Sequence, residues 1–381
     1  TGTSNVAVGH NALDANTTAD NNTAVGKSAL TANTTGASGT AVGFDALKAV
    51  TTGGENTAVG RSSGEALTTG IRNVAIGGYA LYTATTVNSN TAVGYGALQT
   101  NAVADNTAVG RDALKLNTTG TENVAVGATA LDANTTASYG TGLGYGALGA
   151  NTTGASNTAV GRYALLTNTT GQENTAVGRD ALRVNLDGRF NTALGFAALT
   201  ANTGADYNVA VGYNTLLANT TGANNVAVGS NALDANTTGA SLTAVGYNAL
   251  TANTTASNNV AVGLSTLQAN TTGGQNVAVG ASSLYANTTG ASNTAVGHQV
   301  LASNTTASNN TGIGFEALNA NTTGNQQVAV GALALDANTT GANNVALGYG
   351  ALTANTTASN NIAIGRTAME ANTTGAGNVA I

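Results

Sequence analysis

The chain has 381 residues, a length that would suit two or three ordinary globular domains. Its composition argues against that organisation, because only 7% of the residues are charged and 51 are glycine, whereas a globular chain carries roughly 25% charged residues. The absence of cysteine excludes disulfides and thiolate metal sites. A net charge of −6 offers no basic surface for nucleic acid, and no apolar run approaches the roughly 20 residues of a membrane span.

A tandem repeat of 17 residues runs through the whole chain. Its anchor is the glycine that closes each Ala-Val-Gly motif, which occurs 22 times between Gly9 and Gly365. Every step between anchors is 17 residues except the 16-residue step from Gly94 to Gly110. Positions of the repeat are numbered here from this glycine as position 0. A single indel in 22 units indicates that the period is structural, since a slipped coil would lose its stacking on both neighbours.

The columns of the repeat differ in the residues that they accept. Position −3 is always β-branched, position −1 is always Val, Ile or Leu, and position −2 is Ala in 20 units and Gly in the other two. Position +4 is Leu in 20 units, while Asn occupies position −4 in 18 units and position +7 in 19. Positions +1, +2 and +5 vary freely and carry most of the Lys, Arg and Tyr residues.

In chain order, positions −3 to −1 predict a short strand, because β-branched residues suit a pleated surface. Positions 0 to +2 predict a turn, Ala-Leu-x-Ala from +3 to +6 predicts a second short strand, and Asn-Thr-Thr-Gly-Ala-Ser predicts a longer turn. The frequent glycines disfavour a helix. Each repeat is therefore predicted to be one coil of an all-β parallel β-solenoid, or β-roll. The Val and Leu columns would stack as its core, and the Asn columns would hydrogen-bond along the stack.

The Ala/Gly column at position −2 is as restricted as the predicted core, although strand alternation places it on the opposite face. We therefore predict that this column packs against other copies of the chain, about a shared long axis. The alternative is a flat, exposed strip of alanine that reflects only the biased composition.

The motif Asn-Val-Ala-Val-Gly-x-x-Ala, first found at residues 5–12, resembles the head repeats of trimeric autotransporter adhesins. The repeats are also similar to the Asn-Thr-Ala-Val-Gly-Tyr-x-Ala-Leu units of tail-fibre-like proteins of phages and bacteria. The resemblance covers most of the chain and implies a left-handed β-roll that assembles as a homotrimer. The adhesin repeat is usually shorter, and neither an adhesin's stalk and anchor nor a fibre's chaperone domain is visible in the sequence.

Candidate sites are few. His10 and His298 both occupy the variable position +1, 288 residues apart, and are predicted to be surface residues. The four Asp residues at position +5 lie in non-adjacent coils, so they form no carboxylate ladder, and the Gly-Gly-x-Gly-x-Asp calcium signature is absent. We expect no catalytic, metal or cofactor site, and the sequence leaves ligand-binding residues unknown. The Asp residues at position +5 are Asp14, Asp132, Asp234 and Asp336.

The Asn-Thr-Thr motif and the aromatic residues at position +1 each allow two interpretations. Asn-Thr-Thr is a formal glycosylation acceptor, but its residues also suit a turn ladder. The aromatic side chains at position +1 suit stacking on sugars or receptors, and they equally suit packing on a neighbouring chain. These aromatic residues are Phe44, Tyr95, Tyr145, Phe196, Tyr213, Tyr247, Phe315 and Tyr349.

The sequence therefore predicts a non-enzymatic structural fibre or shaft, extracellular, on a cell surface or a virion, that spaces or presents an adhesive tip. One alternative is an adhesin whose repeat surface itself binds host cells or glycans, and another is an ice-binding solenoid. Residues 1–381 are predicted to form one continuous array of about 22 coils, irregular at residues 48–106. Because neither end looks like a polar cap, we expect an excerpt of a longer fibre.

Overall fold

The computed structural model describes residues 2–381, which contain 23 short strands and no helix. Strands β1 to β22 each occupy positions −3 to −1 of one repeat, and β23 occupies positions −3 and −2. The strands are β1 Val6–Val8, β2 Thr23–Val25, β3 Thr40–Val42, β4 Thr57–Val59, β5 Val74–Ile76, β6 Thr91–Val93, β7 Thr107–Val109, β8 Val124–Val126, β9 Thr141–Leu143, β10 Thr158–Val160, β11 Thr175–Val177, β12 Thr192–Leu194, β13 Val209–Val211, β14 Val226–Val228, β15 Thr243–Val245, β16 Val260–Val262, β17 Val277–Val279, β18 Thr294–Val296, β19 Thr311–Ile313, β20 Val328–Val330, β21 Val345–Leu347, β22 Ile362–Ile364 and β23 Val379–Ala380.

The strands stack in parallel within two units, one reaching to Asn191 and the other spanning Thr192–Ile381. The first unit holds β1–β11 and the second holds β12–β23. Within each unit, every strand pairs with the next at equivalent repeat positions, as in Thr158↔Thr175 and Val209↔Val226. The prediction of a parallel β-solenoid with one coil per 17-residue repeat is confirmed.

The prediction of a second strand in each coil is wrong. Positions +1 to +6 form turns, and the leucine at position +4 adopts a left-handed backbone, with φ of 53° at Leu148. A left-handed conformation costs a non-glycine residue roughly 1–2 kcal/mol. Burial of the whole leucine side chain contributes about 1.5–3 kcal/mol and offsets that cost. The Ala-Leu-x-Ala pattern reflects this inward-pointing leucine rather than strand alternation.

The two faces of the strand are also reversed relative to the prediction. Ala159 at position −2 has no exposed surface, whereas Thr158 and Val160 on either side of it are only partly buried. The core is built from the alanines at −2 and +3 and the leucine at +4, all within one chain. The valines at −1, predicted to be core, lie on the outer face.

The restriction to Ala or Gly at position −2 has a packing cause inside the coil. A Cβ added to Gly142 would lie 3.4 Å from Cγ and Cδ1 of Leu131, so the facing leucine of the previous coil already fills the space. A larger side chain at −2 would overpack this narrow core. The prediction that the Ala/Gly column contacts other copies of the chain is therefore wrong, as is the alternative of an exposed alanine strip.

The asparagine columns form the predicted ladders. At position +7, Nδ2 of Asn134 donates to Oδ1 of Asn117 over 2.9 Å and to the carbonyl oxygen of Ala137 over 3.0 Å. At position −4, Oδ1 of Asn56 accepts from the backbone N–H of Asn73 over 2.9 Å. These side chains are buried, so the ladders satisfy polar groups that would otherwise be costly inside the fold.

The irregular stretch at residues 48–106 keeps the strand pairing. Val50, Leu67 and Ala84 replace asparagine at position +7 and are buried, so an apolar segment interrupts the ladder. The 16-residue step leaves the register intact, because Thr91 still pairs with Thr107. Nδ2 of Asn101 donates to the carbonyl oxygen of Val103, two residues ahead instead of three, which places the deletion in the long turn.

Candidate functional site

Two surfaces lie outside the core packing that recurs in every coil. The outer strand face consists of positions −3 and −1, and the turn edge consists of positions +1, +2, +5 and +6. On the outer strand face, β-branched and apolar side chains are half-exposed in both units, with 38% exposure at Val59 and 36% at Val262. The mixed column of Thr and Val at −3, in which only the threonines carry a hydroxyl, therefore runs beside an apolar column at −1.

The predicted surface histidines lie on the turn edge. His10 is exposed. The imidazole of His298 stacks on Phe315 of the next coil, with ring centroids 5.6 Å apart and planes 8° apart. Within residues 2–381, no group of three or more His, Cys, Asp or Glu is arranged to hold a metal ion.

The aspartates at position +5 are not adjacent, but three of them share an environment. Burial raises the pKa of Asp132, Asp234 and Asp336 above the ordinary aspartate value. Backbone hydrogen bonds act in the opposite direction in all three. A carboxyl with a raised pKa is a recognised feature of functional sites, although burial alone also produces it.

The charged pairs on the turn edge are mostly local. Asp112 lies between Arg111 and Lys115, with shortest N–O distances of 3.3 and 3.1 Å. Asp180 and Arg179 form a similar pair at 3.2 Å. Because the basic partners are largely exposed, these pairs contribute little stability.

Aromatic side chains on the turn edge make contacts within a coil and between neighbouring coils. The ring of Tyr79 meets those of Tyr82 and Tyr95 edge to face, with centroids 5.3 and 5.7 Å apart. Tyr145 and Tyr163 form a second such pair at 5.4 Å. The partners Tyr79 and Tyr163 occupy position +2, so a search confined to position +1 missed them.

Two concave features occur on the turn edge of the first unit. One is a groove of about 630 Å³ over positions +5 and +6 of four coils, floored by Ala32, Ala49 and Ala66. The other, here called the notch, has a volume of about 430 Å³ and spans three consecutive coils. Its floor contains Gly146 and Gly149, at positions +2 and +5 of one coil.

Sequence reasoning missed the notch, although the sequence carries a signal for it. Gly149 is the one glycine among the 22 residues at position +5, and the same coil also has glycine at +2. Two missing side chains in one coil lower the surface there, and residues of the coils before and after it line the resulting depression.

Comparisons with known proteins leave the family open. No protein-family model matches the chain, and a search of curated proteins gives no significant match. Within residues 2–381 there is also no helix of the length and apolarity needed to cross a membrane. The resemblance to adhesin heads and tail fibres therefore stays a prediction that rests on the repeat motif.

Proposed function

We propose that the chain is a non-enzymatic structural element of an extracellular fibre or shaft on a cell or a virion. The observation that carries this proposal is the uniformity of the coils. Backbone pairing, two buried amide ladders and a leucine column repeat from coil to coil within each unit. Such quasi-one-dimensional stacking suits a spacer whose length is set by the number of repeats.

The fibre is proposed to be a homo-oligomer held by the outer strand face. This face is half-exposed, apolar at position −1 in every repeat, and made of short side chains that allow close approach. Contiguous exposed apolar surface of this kind marks interaction sites. A homotrimer of left-handed coils is the arrangement that the resemblance implies.

Oligomeric state tests this proposal. We expect sedimentation equilibrium to give a trimer mass and electron microscopy to give three-fold cross-sections. The double variant Val160→Lys and Val177→Lys places two charges on the outer strand face and is expected to be monomeric. Thr153→Lys and Thr170→Lys add the same charges to exposed turns and are expected to leave the trimer intact. A monomeric wild-type chain, or a trimer that tolerates charge on the outer face, would refute the proposal.

Ice binding is a second candidate, supported by the placement of the strand residues. Thr or Val at −3 and Val, Ile or Leu at −1 form two regular outward-facing columns instead of a core. Valine interrupts the threonine column in nine repeats, which weakens a lattice match. Thermal hysteresis of the purified protein decides between the candidates, because a spacer is expected to produce none.

A further inference from the structure

Two aromatic rings, a carboxyl group and two hydroxyl groups line the notch, which differs from the larger groove in holding no lysine. Tyr145 and Tyr163 line it with rings inclined by 68°, so ring faces and ring edges point in different directions. Asp132, Thr129 and Thr167 also line it. The hydroxyls of Thr129 and Thr167 donate to the carbonyl oxygens of Ala128 and Arg183, and their oxygens can still accept. The residues that line the notch belong to three consecutive coils.

The two glycines of the floor keep it low, because neighbouring side chains lie close above both of them. A Cβ added to Gly149 would lie 3.6 Å from Oδ1 of Asp132 and 3.2 Å from Cδ1 of Leu166. A Cβ added to Gly146 would lie 3.1 Å from Cδ1 of Tyr163. A side chain at either position would therefore crowd Tyr163, Leu166 or the carboxyl group of Asp132 and extend into the notch.

The same chemistry recurs elsewhere without the two glycines. Asp234 and Tyr247 repeat the spacing of Asp132 and Tyr145, thirteen residues apart. In that coil, however, Asn248 and Thr251 occupy the positions of the glycines. The fold thus accepts Asn and Thr at these two positions, which provides a natural template for filling the notch.

The charges around the notch restrict its ligand. A carboxylate at one wall opposes an anion. The guanidinium groups of Arg162 and Arg183 already lie 4.5 and 5.6 Å from the ring centroid of Tyr163, which opposes a second cation there. A purely apolar ligand would strip water from the carboxyl group without replacing its hydrogen bonds, at a cost of free energy.

We propose that the notch binds a neutral pyranose sugar. A pyranose has C–H patches that pack on tyrosine rings and hydroxyls that donate to a carboxylate, and a cavity of about 430 Å³ accommodates one or two such rings. This proposal rests on the alternative that the repeat surface itself binds glycans, and it names a site for that activity. The notch shares no residue with positions −3 and −1, so sugar binding and self-association through the outer strand face are compatible.

Saturation-transfer NMR with galactose and N-acetylglucosamine as separate probes tests the proposal. We expect transfer from the protein to the ring protons of at least one of the two sugars. The double variant Gly146→Asn and Gly149→Thr gives this coil the side chains of its counterpart at residues 247–251 and is expected to abolish the transfer. The single variant Asp132→Asn is expected to lower the affinity for the sugar by about tenfold, the loss for one charge-assisted hydrogen bond. The dependence of the transfer on sugar concentration measures this affinity.

Asp234→Asn is the matched control. It makes the same change at position +5, but next to a coil in which Asn248 and Thr251 replace the two glycines. It is expected to leave the saturation transfer unchanged. Circular dichroism reports on folding and the trimer mass reports on assembly. A variant that loses only the sugar site keeps both signals, whereas a variant that no longer assembles loses the trimer mass. Three outcomes overturn the proposal: no transfer to either sugar, equal transfer in the filled variant, or binding of tetramethylammonium in place of sugar.

Discussion

Nδ2 of Asn168 donates to Oδ1 of Asn151 over 2.8 Å, and neither residue has measurable exposed surface beyond 1%. The same amide also donates to the carbonyl oxygen of Gly171 over 3.0 Å and accepts from Asn185 over 2.7 Å. Each rung of this ladder therefore uses both ends of an amide, with a donor facing one neighbour and an acceptor facing the other.

The first prediction is that Asn168→Asp destabilises the coil at neutral pH. Aspartate cannot donate while ionised, so the oxygen of Asn151 loses its partner and a buried charge faces it. The expected cost is more than about 3 kcal/mol at pH 7. Burial would raise the pKa of the new carboxyl, so stability is present at low pH and lost as the pH rises through that pKa. Urea unfolding at acid and neutral pH measures this; equal stability at both would contradict it.

The second prediction concerns the left-handed leucine. Leu148→Ala opens a core cavity and is expected to cost about 2–5 kcal/mol. Leu148→Gly opens the same cavity but relieves the left-handed backbone, so it is expected to be no less stable than Leu148→Ala. Gly64 occupies this position in another coil, with φ of 59°. Chemical denaturation of the two variants measures the difference, and a glycine variant weaker by about 1 kcal/mol, the ordinary penalty in a regular element, would refute the role of backbone strain.

The third prediction distinguishes two kinds of glycine. Gly161 at position 0 has φ of 133°, and an added Cβ would lie 2.6 Å from the carbonyl oxygen of Gly178 in the next coil. Gly161→Ala is therefore expected to cost at least about 1–3 kcal/mol and to speed amide exchange in the flanking coils. Gly350→Ala is the control, since an added Cβ there would meet only side-chain atoms of Thr353 and Thr367, at 3.2 and 3.6 Å, and Ala197 holds the same left-handed position elsewhere with φ of 55°. Similar exchange in both variants would contradict the expected difference.

The fourth prediction concerns the half-buried aspartates. Burial raises the pKa of Asp234, and its Oδ1 is buried without a hydrogen-bond partner in residues 2–381. A carboxyl with a raised folded-state pKa favours folding while protonated, and that contribution is lost as the pH rises through the folded-state pKa. Asp234→Asn is therefore expected to raise the melting temperature at pH 7 and to have little effect well below pH 4, where aspartate is protonated in both states. Asp14→Asn, in an exposed setting at the same position, is the control; an equal gain there would count against burial as the cause.

The sequence predicts the period, the parallel stacking and the amide ladders, because each depends on identical residues meeting in register. It fails on the direction of the strand, since Thr-Ala-Val alternates equally well with either face inward. Only the leucine column, pointing across a coil too narrow for a second large side chain, decides that Ala159 lies inside and Val160 outside. Helix and strand propensities do not indicate the left-handed turn at Leu148, so the Ala-Leu-x-Ala pattern predicts a strand that the coil does not form.

The notch escapes sequence reasoning for a different reason. Its groups come from three coils and line a depression where two side chains are missing. A search for clustered reactive residues passes over Gly146 and Gly149, which contribute space alone. Comparing each coil with its neighbours column by column would have found them, because glycine at +5 occurs once.

Because positions +1, +2 and +5 vary freely, the surface of a coil can change its chemistry while the buried columns stay the same. The notch is lined by residues of three adjacent coils and by no core column. A few substitutions are therefore expected to recreate it in three other coils. Asn248→Gly and Thr251→Gly would clear the floor beside Asp234 and Tyr247, and Ser265→Tyr would supply the second ring. Evolution of such a chain can therefore alter the number and placement of recognition sites while every coil keeps the same fold.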